Sequence, residues 1–205
     1  MRSGAKLRAK LPGWLITAMA LVTALAPPID TFAHGSCTGA RMRNVGNRCR
    51  AIAHCYVREA EGREALDACV AYQLQRLERH FQKTLIYPDC HPYGEPADVI
   101  SALRMHMGSA ADLLQLSEDR CSRAKMEAAG AACLQLLRDC EAPAEVHETA
   151  VDPACVAEAE ALMARLFDKA EARDECTTVD DEDAVGSEVH DAVDAAVTEL
   201  VVPPP

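Results

Sequence analysis

The chain has 205 residues, of which 49% are hydrophobic and 26% charged, with ten cysteines and a formal charge of −11. That length buries a core, but with only 4% aromatic residues the core is left to Leu, Val, Met and Ala. The negative balance disfavours nucleic acid as a partner, because its phosphates are repelled.

Residues 1–33 read as a secretory signal peptide. Arg2, Lys6, Arg8 and Lys10 form a positive start, and Trp14 to Ala26 is an apolar run closed by Pro27 and Pro28. That run is too short to cross a membrane, which takes about 20 residues. Thr31-Phe32-Ala33 puts small residues at the −3 and −1 positions, so cleavage is expected after Ala33. An uncleaved N-terminal anchor is the alternative. A lipoprotein is disfavoured, since His34-Gly35-Ser36 before Cys37 lacks the aliphatic residue expected three positions upstream. Cleavage leaves residues 34–205 with 17 Lys+Arg and 31 Asp+Glu, a net charge of −14. The expected location is secreted or periplasmic, with no transmembrane segment after cleavage. An even cysteine count in an oxidising compartment implies disulfides.

The cysteines form two sets of five. Cys37, Cys49, Cys55, Cys69 and Cys90 are spaced by 12, 6, 14 and 21; Cys121, Cys133, Cys140, Cys155 and Cys176 by 12, 7, 15 and 21. One five-cysteine module is therefore written twice, over 34–116 and 117–200. Val70, Ala71, Arg79, Phe81 and Lys83 recur as Val156, Ala157, Arg165, Phe167 and Lys169, and Leu77 is matched by Met163.

Each module is predicted to hold three helices. In the first, helix A covers roughly 38–58, with Gly46 making its start uncertain. Helix B covers 64–87, Tyr87-Pro88 to Pro96 is a loop, and helix C covers 96–116. Val99, Leu103, Met107 and Leu114 give helix C an apolar stripe at helical spacing. In the second module helix A covers 118–141 and ends before Pro143. Helix B covers 153–174, with Asp152 as N-cap and Pro153 at the first position. Helix C covers 181–200 behind a capping box of Thr178 and Asp181, with Val185, Val189, Val193 and Leu200 as its stripe. No segment shows sustained strand alternation, and the tail 201–205 is expected to be disordered. The fold class is all-α: two tandem homologous three-helix modules, each an antiparallel helical hairpin plus a third helix, stapled by disulfides.

In an antiparallel hairpin, facing residues have indices of near-constant sum. Cys140–Cys155 and Cys121–Cys176 sum to 295 and 297; Cys55–Cys69 and Cys37–Cys90 sum to 124 and 127. These four pairs are predicted within the modules. Cys49 and Cys133 remain, at equivalent positions; either they join the modules as Cys49–Cys133 or they are free thiols.

The run Val151-Asp152-Pro153-Ala154-Cys155, with Glu158-Ala159-Glu160, Phe167, Lys169-Ala170-Glu171 and Cys176-Thr177-Thr178, resembles a motif of uncharacterised secreted, cysteine-containing helical-repeat proteins of bacteria. The resemblance spans about 117–200, and the first copy departs from it at Leu66-Asp67-Ala68-Cys69. That group has no assigned activity, so the resemblance implies architecture alone.

The copies have diverged in charge: +1 over 34–116 and −15 over 117–205. A solvated surface accounts for this; so does an acidic module that docks a basic partner. The leading expectation is a non-enzymatic binding or structural protein that uses helical surfaces, the acidic second module being the candidate interaction face. The alternative is a protein that binds copper or another divalent cation. Met105-His106-Met107 resembles a copper-binding triplet, although residues two apart on a helix point to different sides. His34, at the expected mature N-terminus, is a second weak candidate. Asp180-Asp181-Glu182-Asp183 lacks the alternating ligands and glycine of a calcium loop. An enzyme of unrecognised class ranks third. There is no C-x-x-C, G-x-S-x-G, H-E-x-x-H or phosphate-binding glycine loop, and a Cys–His nucleophile would need Cys49 or Cys133 to be free, with His54 near Cys49. No catalytic residue and no cofactor is expected.

Overall fold

A computed structural model describes residues 36–86, 90, 94–172 and 176–201. The expected signal peptide and His34 lie outside them. The described residues are helical and contain no strand. The elements are α1 (Ser36–Ala60), α2 (Leu66–Thr84), α3 (Pro96–Leu113), α4 (Arg120–Gln135), a π-helical turn (Leu136–Glu141), α5 (Ala142–His147), α6 (Pro153–Glu171) and α7 (Glu182–Val201). None is long and apolar enough to cross a membrane.

Local chemistry sets the ends. Asp119 caps α4 by accepting from the Ser122 amide at 2.8 Å, and Asp152 caps α6 by accepting from the Ala154 amide at 2.9 Å, with Pro153 as its first residue. Burial opposes charge on Asp119, but hydrogen bonds from Ser122 and Ser117 prevail and hold its carboxyl below the usual range. Left-handed Gln115 and Glu148 stop α3 and α5. Thus helix C of the first module ends at Leu113, short of 116. The turn at 61–65 carries Glu64, which pairs with Arg58 at 2.9 Å, so helix B begins at Leu66. The start of α7 also differs from expectation. Thr178 does not cap it; its hydroxyl bonds the Asp181 carboxylate, and α7 begins only at Glu182. At its other end α7 takes in Val201, the first residue of the expected tail; 202–205 lie outside the described residues.

Helix A of the second module does not stop before Pro143. It winds through the π turn into α5, with Pro143 in the first turn of α5. A π turn takes one more residue than an α turn, and Cys133 to Cys140 is one residue longer than Cys49 to Cys55. The extra residue is absorbed here, so both cysteines still face the core. The turn also lies where a proline must do without its own N–H bond and crowds a carbonyl four residues back.

The ten cysteines stand in five pairs: Cys37–Cys90, Cys49–Cys133, Cys55–Cys69, Cys121–Cys176 and Cys140–Cys155, with Cα separations of 5.2–6.2 Å. None is free. Inside each half, α1 lies on α2 and α4 on α6. Across the halves, α1 packs on α4 and α3 on α7. These cross-contacts repeat when the halves are exchanged. A Cβ on Gly46 would come 3.1 Å from the Leu134 carbonyl and 3.2 Å from Leu137; one on Gly130 would come 3.3 Å from Arg50 and 2.6 Å from Ala53. Each residue of one set sits 84 positions from its counterpart in the other, and Cys49–Cys133 lies between them. The two glycines let α1 and α4 touch backbone to backbone, which is why Gly46 sits inside α1 rather than at its start.

The apolar stripes meet in one core. Val99, Leu103, Met107 and Leu114 are buried with Val185, Val189, Val193 and Leu200, and Phe81 and Phe167 lie beneath α1 and α4. Above each phenylalanine stands a buried cation at an equivalent position: Arg41 lies 4.5 Å from the Phe81 ring centre and Lys125 5.5 Å from that of Phe167.

Candidate functional site

Lys125 is fully buried and its ammonium bonds Glu171 at 2.6 Å, Asp181 at 2.8 Å and the Thr178 carbonyl at 2.9 Å. Burial alone would lower its pKa; the two carboxylates outweigh that and raise it. Part of the Asp180–Asp183 cluster is therefore committed to an internal ion pair that ties α4 to the start of α7.

The Met105-His106-Met107 triplet does not converge. Met105 is 60% exposed and Met107 is in the core. His106 instead meets the second half: its Nδ1 is 3.0 Å from Glu188 Oε2. Asp191 stands near enough that one ligand atom from each of the three residues lies within 4.8 Å of the others. One imidazole and two carboxylates suit a borderline or hard divalent cation better than a soft one. His54 has no thiol to activate, because Cys49 is bonded to Cys133; its ring faces Glu127 at 3.7 Å.

On the second half, a cleft of about 380 Å³ opens between α6 and α7. Its floor is apolar, with Met163, Leu136 and Val189, and its rim carries Glu160, Glu182 and Asp183. Glu160 pairs with His190 at 3.0 Å. Burial, followed by repulsion from Asp183, Asp168 and Glu171, pushes the Glu182 carboxyl up. α7 carries six acidic residues and no Lys or Arg. In the first half, 86 positions earlier, Leu74, Pro96 and Ala97 stand in place of the rim residues.

The first half shows the opposite charge. α1 carries five arginines and one glutamate. A cleft of about 700 Å³ opens beside α1, reaching α2 and α4. Most of its carboxylates are already used: Glu64 pairs with Arg58, while Glu61 pairs with Arg63 and Arg123. Through Arg48, Tyr72 and Arg76 it adjoins a groove of about 630 Å³ between α1 and α2, whose lining among the described residues contains no carboxylate. Sequence reasoning missed this groove, because a module charge of +1 conceals how its cations are distributed. The signal lay in the 3- and 4-residue spacing of Arg76, Arg79, His80 and Lys83, which puts them on one face of α2.

No family model, curated protein or solved structure matches the chain.

Proposed function

We propose that this is a non-enzymatic binding protein, exported after loss of residues 1–33 to the periplasm or cell exterior, whose acidic half docks a basic partner. Five disulfides belong to an oxidising compartment. The observation that carries the reading is the α6–α7 cleft. An apolar floor beneath a carboxylate rim suits a Lys or Arg side chain, whose aliphatic stem lies on Met163 and Val189 while its charge meets Glu182 and Asp183. Burial and the neighbouring carboxylates disfavour charge on Glu182, which favours an incoming cation over solvent. The test is capture from envelope and culture-supernatant fractions by the oxidised 34–205 chain. Capture should weaken as salt rises and be lost in E160Q/E182Q/D183N. Capture that survives neutralisation of the rim refutes the reading.

His106, Glu188 and Asp191 favour a second reading, a divalent cation bridging α3 and α7. Elemental analysis of protein purified without chelators tests it, and absence of stoichiometric metal removes it.

A further inference from the structure

We propose that the groove between α1 and α2 is a binding site for a compact dianionic oxyanion of the phosphate class, free or as a monoester.

Four cationic side chains border the groove: Arg48 from α1, and Arg76, Arg79 and Lys83 from α2, with His80 among them. Among the described residues none of the four makes a salt bridge. Arg48 is only 9% exposed. Its Nη1 donates to Gln73 Oε1 at 2.8 Å, which fixes the guanidinium, while its buried Nε has no hydrogen-bond partner among the described residues. The Nε2 of His80 is likewise buried and unpartnered; its Nδ1 lies 2.8 Å from the Asn44 amide nitrogen. A buried guanidinium without a counter-charge is unfavourable. Burial lowers its pKa and Arg76 lowers it further, with Tyr72 opposing. Burial also lowers that of His80; the Ala40 carbonyl opposes this, while Lys83, Arg48 and Arg41 add to it. A planar guanidinium with a free N–H beside further cations matches the geometry of a phosphate oxyanion.

The other half shows that the scaffold does not need Arg48, Arg76 or His80. At the equivalent positions Asn44, Asn47 and Arg48 become Ala128, Ala131 and Ala132, and Arg76 and His80 become Leu162 and Leu166. Ala128, Ala131 and Leu166 line a depression in the same place between α4 and α6. Arg79 and Lys83 are kept as Arg165 and Lys169, and Arg50, Arg120 and Glu127 also line that depression, so what sets the α1–α2 groove apart is Arg48, Arg76 and His80. The net negative charge of the chain does not forbid the ligand. Long-range repulsion is screened over about 8 Å at physiological salt, whereas the groove cations act at contact.

Isothermal titration calorimetry of the oxidised 34–205 chain with inorganic phosphate, glycerol 3-phosphate and acetate tests the assignment. Saturable one-to-one binding of a phosphate species, with acetate at least roughly tenfold weaker, is expected. Arg76→Gln and Arg79→Gln, both at exposed positions, should each weaken binding about tenfold or more, as loss of a charge-assisted hydrogen bond does. Arg48→Gln should do the same, and the two exposed variants keep the test valid if it fails to fold. In NMR titrations the His80 pKa should rise when phosphate binds. Co-sedimentation with phosphatidic acid vesicles, against phosphatidylcholine vesicles, separates a lipid headgroup from a soluble ligand; binding in either form supports the site. Absence of saturable binding to phosphate, glycerol 3-phosphate and phosphatidic acid alike overturns it. So does affinity unchanged in both R76Q and R79Q.

Discussion

Removing the bridge between the halves gives the most quantitative test of how the fold is held. Cys49 and Cys133 are fully buried and 84 residues apart. The denatured chain is already shortened by Cys37–Cys90, so the loop that Cys49–Cys133 closes runs back to Cys37, across to Cys90 and on to Cys133, about 55 residues. In the chain-entropy model that loop corresponds to about 4 kcal/mol. The C49A/C133A double variant keeps the neighbouring apolar contacts and adds no buried polar atom, so most of its effect should come from the lost crosslink. A chain of this size shifts about 2–4 °C in Tm per kcal/mol; a fall of about 8–16 °C is expected. The measurement, on the 34–205 chain, is thermal and guanidinium unfolding followed by far-UV circular dichroism, because the only tryptophan, Trp14, lies outside that range. A loss below about 1 kcal/mol would mean that the α1–α4 contact orders the unfolded chain without the crosslink, and the reasoning would fail.

A Cβ on Gly130 would stand closer to its neighbours than one on Gly46, 2.6 Å against 3.1 Å. Gly130→Ala should therefore cost about 1–3 kcal/mol as an overpacking change, and Gly46→Ala less; the reverse order in urea melts would contradict the α1–α4 geometry. Lys125→Met strands Asp181 and Glu171 and should cost about 3–5 kcal/mol. Because the folded pKa of Lys125 is raised, its contribution is complete below the ordinary lysine pKa and lost as pH rises through the folded value. K125M should accordingly show less alkaline loss of stability than the parent. For Glu182 the raised folded pKa gives a contribution present below the usual carboxylate pKa and lost as pH rises through the folded one. Glu182→Gln should then raise Tm at pH 7 relative to the parent and leave it unchanged near pH 3, read by calorimetry at both.

The helical framework was legible because its signals are local. The stripes of α3 and α7 repeat at helical spacing, Asp152-Pro153 opens α6, and the index sums of two hairpins give the same four intramodule cysteine pairs that the structure holds. What was not legible depended on contacts between halves. Gly46 looks like a helix breaker until α4 is seen lying against it. Pro143 reads as a stop because the π turn that accommodates it has no signature of its own beyond one extra residue between Cys133 and Cys140. Thr178 and Asp181 spell a capping box for α7, but the Asp181 carboxylate is drawn toward Lys125, 56 positions away. His106 looked like part of a methionine triplet; its partner, Glu188, comes from the other half.

The two halves also separate what the fold requires from what it permits. Positions that hold the body together keep their character in both halves: phenylalanine at 81 and 167, a cation above each ring, glycine at 46 and 130, cysteine throughout. Arg48, Arg76 and His80 of the α1–α2 groove and Glu160, Glu182 and Asp183 of the α6–α7 cleft do not. A merely solubilising surface keeps its charges in water, where they cost little. It has no use for Arg48 sunk against Gln73 with an unpartnered Nε, when alanine fills the same place in the other half. Nor does it place Glu182 where burial, then Asp183 and Asp168, push its carboxyl up, when the first half has proline at the equivalent position. Both arrangements place unfavourable electrostatics of opposite sign on one rigid body, and the proposed ligands are ions of the sign that would relieve each.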